Sequence, residues 1–151
     1  MIQSFINTVL PLTSNEAGVQ FQTDCIRTRS CSCNGWLCHN EGSANYDITE
    51  GGLYEVTFNA TVSSATAGVV AFALFNNGEQ IPGTLMAETL AAADDYANIG
   101  INKKIKVCCR GNSTISVRAV PAVPTPSDPA TPVDTEIPII VSANLSINRI
   151  S

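Results

Sequence analysis

Six cysteines and one histidine are the residues of this 151-residue chain best suited to chemistry. Four cysteines fall close together, as Cys25, Cys31, Cys33 and Cys38, with His39 directly after the last. A tetrahedral zinc site takes thiolates in pairs, usually separated by about two to four residues and presented from tight turns. Cys31 and Cys33 stand too close for that arrangement, and His39 adjoins Cys38 instead of being spaced on a turn of its own. The spacing favours disulfides, with zinc and buried free thiols as the alternatives, and no metal site is expected. Cys108 and Cys109 are neighbours, so on a strand they point to opposite faces and at most one reaches the 25–38 loop.

A nucleophile needs a base within hydrogen-bond reach, and that base needs a third group to orient it. His39 beside Cys38 does not meet this requirement, because adjacent side chains diverge. Asp94 and Asp95 are also adjacent. They read as a solvated loop and not as a calcium site, which gathers about six to eight oxygens. The chain contains no Gly-rich phosphate loop, no Ser-centred elbow and no zinc-hydrolase motif. No catalytic residue and no cofactor are expected. Sequons at Asn59, Asn112 and Asn144 read as chance in a chain rich in Asn and Thr.

The length suits one domain, and a hydrophobic content of 44 % excludes wholesale disorder. Charged residues make up only 14 %, while Ser, Thr, Asn and Gln together supply 44 of the 151 positions. The surface is therefore rich in hydroxyls and amides, or partly hidden against other subunits. A net charge of −5 lacks the basic footprint of a nucleic-acid binder. No apolar run approaches the roughly 20 residues of a membrane span. The first 26 residues carry no Lys or Arg, and polar residues interrupt their apolar run, so a secretory signal is not expected.

Period-two alternation runs through most of the chain. It places Tyr54, Val56, Phe58, Ala60 and Val62 on one face, after a Gly51-Gly52 turn signal. It recurs with Ile99, Ile101, Ile105 and Val107, with Ile115, Val117 and Ala119, and with Ile139, Val141, Ala143, Leu145 and Ile147. Val19 and Phe21 alternate with Gln20 and Gln22 near the start. Residues 68–75 are apolar on both faces, Val70, Phe72 and Leu74 included, as in a covered inner strand or a subunit contact. Asn77-Gly78 then marks a tight turn. Residues 84–93 form a helix, a loop or an irregular strand. Five of the eight prolines fall between 121 and 132, which predicts a long exposed loop joining two strands of the same sheet system. The whole is an all-β sandwich or barrel.

Gly51-Gly52-Leu53-Tyr54, opening the strand that ends at Val62, resembles the Gly-x-Tyr strand of the tumour-necrosis-factor and complement-globular-head jelly rolls. The stretch Asn77-Gly78-Glu79-Gln80-Ile81-Pro82-Gly83 and the ending Ala143-Asn144-Leu145-Ser146-Ile147-Asn148 are similar to the bacterial and phage branch of that family. That branch includes the C-terminal domains of exosporium collagen-like glycoproteins and bacteriophage head fibres. The resemblance covers about residues 18–151. A Cys-rich insertion at 25–38 and the Pro-rich loop at 121–138 have no counterpart in it, and residues 1–17 carry no collagen-like Gly-x-x repeat, so a stalk is not expected.

The resemblance implies a jelly-roll β-sandwich that assembles as a compact homotrimer. Tyr54, Val56, Phe58, Val70, Phe72, Leu74, Leu145 and Ile147 are then residues of the core or trimer interface. Residues 1–17 are an N-terminal arm or a first strand, with Phe5, Ile6, Val9 and Leu10 as anchor candidates. The expected role is a non-enzymatic virion-surface protein, either a head fibre or a capsid decoration. Its partners would be itself, the major capsid protein or another virion component, and host-surface glycan. The alternative is a structural or adhesion protein of the spore surface of a Gram-positive bacterium.

Overall fold

The computed structural model describes residues 1–27, 35–108 and 111–151, and no helix occurs among them. The strands in chain order are β1 (Ile2–Ile6), β2 (Leu10–Pro11), β3 (Thr23–Arg27), β4 (Leu37–His39), β5 (Tyr46–Ile48), β6 (Gly52–Ser64) and β7 (Gly68–Asn76). They continue with β8 (Glu79–Gln80), β9 (Met86–Leu90), β10 (Ala97–Val107), β11 (Ser113–Ala119), β12 (Ala122–Val123), β13 (Val133–Asp134) and β14 (Pro138–Arg149). One sheet runs β3-β1-β14-β6-β10, with β2 added to β14. The other runs β4-β5-β11-β7, with β8 and β9 both paired to β7, and β12 and β13 form a separate ribbon.

The core lies between these two layers. Alternation in β6 turns Tyr54, Val56 and Phe58 inwards, where they join Val70, Phe72 and Leu74 of β7 and Leu145 and Ile147 of β14 in one buried cluster. Fully burying a side chain of this size contributes about 1.5–3 kcal/mol. Phe58 and Phe72 meet across the layers with ring centroids 6.3 Å apart. Phe21 stands edge-on to both Phe58 and Tyr46.

The last strand departs from its expected pattern. A bulge between Ile140 and Ser142 leaves Val141 without an opposing residue on β6. One extra residue reverses the inward and outward order of a strand. Ile140, Ala143, Leu145 and Ile147 are buried, whereas Ile139 and Val141 turn to the outer face and are only half-buried.

Three other segments also resolve. In residues 84–93 the centre is β9, where Met86 and Leu90 are buried and the three residues between them exposed. A four-residue spacing of buried apolar side chains is also what a helix would show, so periodicity alone could not decide. Val19 and Phe21 are fully buried but lie outside regular strands, held by Val19 N–H to the Val117 carbonyl and Phe21 N–H to the Ser43 carbonyl. Asn77 and Gly78 take φ of 51° and 83°, the left-handed pair of a two-residue hairpin between β7 and β8.

The two-sided apolarity of β7 has an explanation within the chain. Its outward Ala71 and Ala73 are covered by Val120 and Val123, with Val69 and Phe75 packed alongside. Val120 N–H bonds to the Ala71 carbonyl at 2.9 Å, and Glu136 N–H to the Val69 carbonyl at 2.7 Å. The Pro-rich segment is exposed over most of residues 124–134, as expected, and differs from the expectation in two details. It crosses from β11 in one sheet to β14 in the other, and parts of it are buried against β7. Proline keeps the segment out of the central ladders, which leaves it available as a strap across a finished sheet.

Candidate interaction face

Outward side chains of the β3-β1-β14-β6-β10 sheet form a broad surface whose middle carries no charge. One row across it runs Phe5, Asn144, Asn59 and Gly100, paired strand to strand. The next rows add Ser146, Thr57 and Asn102 on one side and Ser142, Thr61 and Asn98 on the other. Cross-strand hydrogen bonds tie this surface together. Thr61 Oγ1 donates to Asn98 Oδ1 at 2.8 Å, and Asn102 Nδ2 donates to Thr57 Oγ1 at 2.9 Å. At Gly100 the Asn59 carboxamide lies over the backbone, and a Cβ there would push that side chain aside. A groove of about 450 Å³ lies among Phe5, Asn7, Asn59, Asn98 and Asn144. Charge returns towards one end, with Glu55, Lys104 and Lys106.

At the opposite end the bulge at Val141 creates an apolar patch. Val9 is 63 % exposed and Tyr96 72 % exposed, and they border a depression shared with Ile139 and Val141, with Ser63 and Asp94 at its edge. Of the anchor candidates, Val9 alone projects fully. Ile6 is buried and Phe5 half-buried in β1, and Leu10 lies half-buried in β2 against β14. Residues 1–17 thus contribute the first strands of the sandwich.

The chemistry-bearing residues gather elsewhere. Asp24 accepts a hydrogen bond from Ser4 Oγ, and its two carboxylate oxygens lie 2.9 and 3.0 Å from His39 Nδ1. His39 Nε2 donates to the Ser43 carbonyl at 3.1 Å, and its ring stacks on Tyr46 at 3.9 Å. The side chains of His39 and Asp24 are both fully buried, as is Ser4. Serine, histidine and aspartate together suggest a nucleophile with its base, but the order is wrong for that. The carboxylate sits between hydroxyl and imidazole, Nε2 is engaged by a carbonyl and Ser4 is fully buried, which is not the nucleophile–base–orienter order of a catalytic triad. Sequence reasoning missed this network, because nothing in the local pattern links Asp24 to a histidine 15 positions later.

Cys25 is exposed on β3, Cys38 half-buried on β4 and Cys108 exposed just beyond β10. Cys25 and Cys108 are free thiols. Cys31, Cys33 and Cys109 lie outside the described residues. Asp94 and Asp95 sit in a turn in which Asp95 Oδ2 accepts the Ala92 N–H. Among the described residues no three metal-ligating side chains converge.

Tyr54 anchors the charged end of the sheet from inside. Its hydroxyl donates to the Glu50 carbonyl at 2.7 Å, and burial pushes its pKa above the ordinary 10.0. The nearby Arg149 pulls that pKa down and Glu50 adds to the rise. Arg149 in turn pairs with the Glu50 carboxylate and donates to the Gly51 carbonyl.

No protein-family model and no curated protein sequence matches the chain. Solved structures do resemble it. The globular domain of zebrafish complement 1qA protein superimposes with a TM-score of 0.61 at 10 % identity, covering 99 % of this chain and 96 % of that one. Eiger TNF from S. frugiperda superimposes with a TM-score of 0.61 at 8 % identity, covering 100 % of this chain and 92 % of that one. Two sheets in this order, matched over the whole length of the chain, make this domain a jelly-roll sandwich of the C1q/TNF-like fold.

Proposed function

We propose that this chain is a non-enzymatic structural surface protein that works as a homotrimer, with a bacteriophage head fibre or capsid decoration as its role. The observation that carries the reading is the uncharged amide and hydroxyl face of the β3-β1-β14-β6-β10 sheet. Cores of subunit interfaces are depleted in charge. A low overall charge concentrated away from one broad sheet face is what a self-associating display domain requires. The apolar cover of β7 comes from its own chain, so that side of the sandwich needs no neighbour and the opposite face is the one assigned to the partner copies.

Docking to a capsid or other virion component is assigned to the patch around Val9 and Tyr96, which keeps the N-terminal segment as the anchor. Host glycan, if bound, would meet the outer loops. The buried Ser4–Asp24–His39 order supports a role without catalysis. The exposed thiols of Cys25 and Cys108 support a second reading, a component of a spore surface, where cross-linking is useful. Mass spectrometry of purified virions and purified spores separates the two. Abundance in virions is expected, abundance in spores would favour the second reading, and absence from both would overturn a surface role.

A further inference from the structure

The β7–β8 hairpin turns on Asn77 and Gly78, both exposed and both at positive φ. An Asn-Gly pair carries its own reactivity. The Gly N can attack the Asn Cγ to form a five-membered succinimide with loss of ammonia. Water then opens the ring to Asp or to isoaspartate, so one amide nitrogen leaves and one water enters. Glycine allows this because no side chain shields its nitrogen, and no heavy atom lies within 4 Å of where a Cβ at Gly78 would stand.

The fold opposes the first step. Asn77 Oδ1 accepts the Thr114 N–H at 2.8 Å, and the Asn77 N–H donates to the Thr114 carbonyl at 2.9 Å. One residue of β11 thus holds both the carboxamide and the backbone of Asn77. Swinging Cγ onto the Gly78 nitrogen requires giving up the first bond and turning the backbone held by the second. We propose that Asn77 is a spontaneous deamidation site kept unreactive by Thr114, so that its conversion marks molecules in which the β7–β8 hairpin has opened.

The two products differ in consequence. An Asp at 77 keeps an oxygen to accept the Thr114 N–H. Isoaspartate adds a backbone methylene to a two-residue loop and breaks the pairing of Phe75 with Gln80 and Asn76 with Glu79.

The test incubates the full chain at neutral pH, folded in one arm and in denaturant in the other. Cleavage at Glu55 and Glu79 then isolates residues 56–79 for mass measurement, which keeps Asn77 apart from the Asn at 34. Conversion at Asn77 is expected to be at least about tenfold slower in the folded arm, as for chemistry gated by local opening. Equal rates in the two arms would overturn the proposal. The variant Asn77→Asp is expected to fold with an unchanged denaturation midpoint. A marked loss of stability would contradict the assignment of Thr114 as the group that accommodates the product.

Discussion

Asp24 on β3 and His39 on β4 join the outermost strands of the two sheets, with carboxylate oxygens 2.9 and 3.0 Å from the imidazole Nδ1. The opposite flank has its own tie, where Lys103 Nζ of β10 donates to the Pro82 carbonyl at 3.1 Å, in the loop between β8 and β9. A sandwich leaves both flanks open between its layers, and here each is closed by a polar contact from sheet to sheet. The two ties differ in worth. Lys103 lies near solvent, whereas the Asp24–His39 pair is fully buried.

Removing one partner of a buried, hydrogen-bonded pair strands the other. His39→Ala and Asp24→Ala are each expected to cost about 1–3 kcal/mol in denaturant unfolding. The double variant should cost clearly less than the sum of the singles, because the residues act as a unit. Additive losses would show that the two side chains stabilise the fold independently.

Tyr54 predicts an alkaline limit to stability. Its pKa is raised in the folded state, so its contribution is complete below the ordinary 10.0 and is lost as pH rises through the higher folded value. Unfolding midpoints should fall across that window in the native chain and fall less in Tyr54→Phe. The variant itself should lose about 1 kcal/mol at neutral pH through the missing bond to the Glu50 carbonyl.

The bulge in β14 separates two neighbours of similar chemistry. Ile140 is fully buried and Val141 is turned outwards. Ile140→Ala should cost about 2–5 kcal/mol. Val141→Ser should stay within about 0.5 kcal/mol in the folded subunit. Chemical denaturation of the two variants checks the assignment, and the reverse order would restore unbroken alternation through Val141.

Phe58 and Phe72 face each other in the middle of the core. Phe58→Asp or Phe72→Asp buries an unpaired charge, and neither variant is expected to yield folded protein. Circular dichroism and a solubility assay after expression give the readout.

The fold was legible wherever a strand has one wet and one dry face. β6 reads directly from Tyr54 to Val62, and its neighbour β10 and the β11 strand of the other sheet read almost as clearly. Legibility failed where a single residue breaks the period, as at Val141, or where buried side chains recur at a helical spacing, as at Met86 and Leu90. The apolar outer face of β7 was visible in the sequence. Its cover was not, because Val120 and Val123 lie some fifty positions later in a segment whose prolines signal only exposure. The Asp24–His39 contact is likewise set by topology, since β3 and β4 stand at the matching ends of different sheets. The uncharged face followed from composition in kind but not in place. Only the strand order brings Asn59, Asn144 and Phe5 into one row.

The mass of the native particle tests self-association most directly. Sedimentation velocity or mass photometry of the isolated protein is expected to give three times 15.9 kDa, with Asn59→Lys shifting the folded chain towards the single-subunit mass. A stable species of 15.9 kDa for the unmodified chain at micromolar concentration would contradict the trimer.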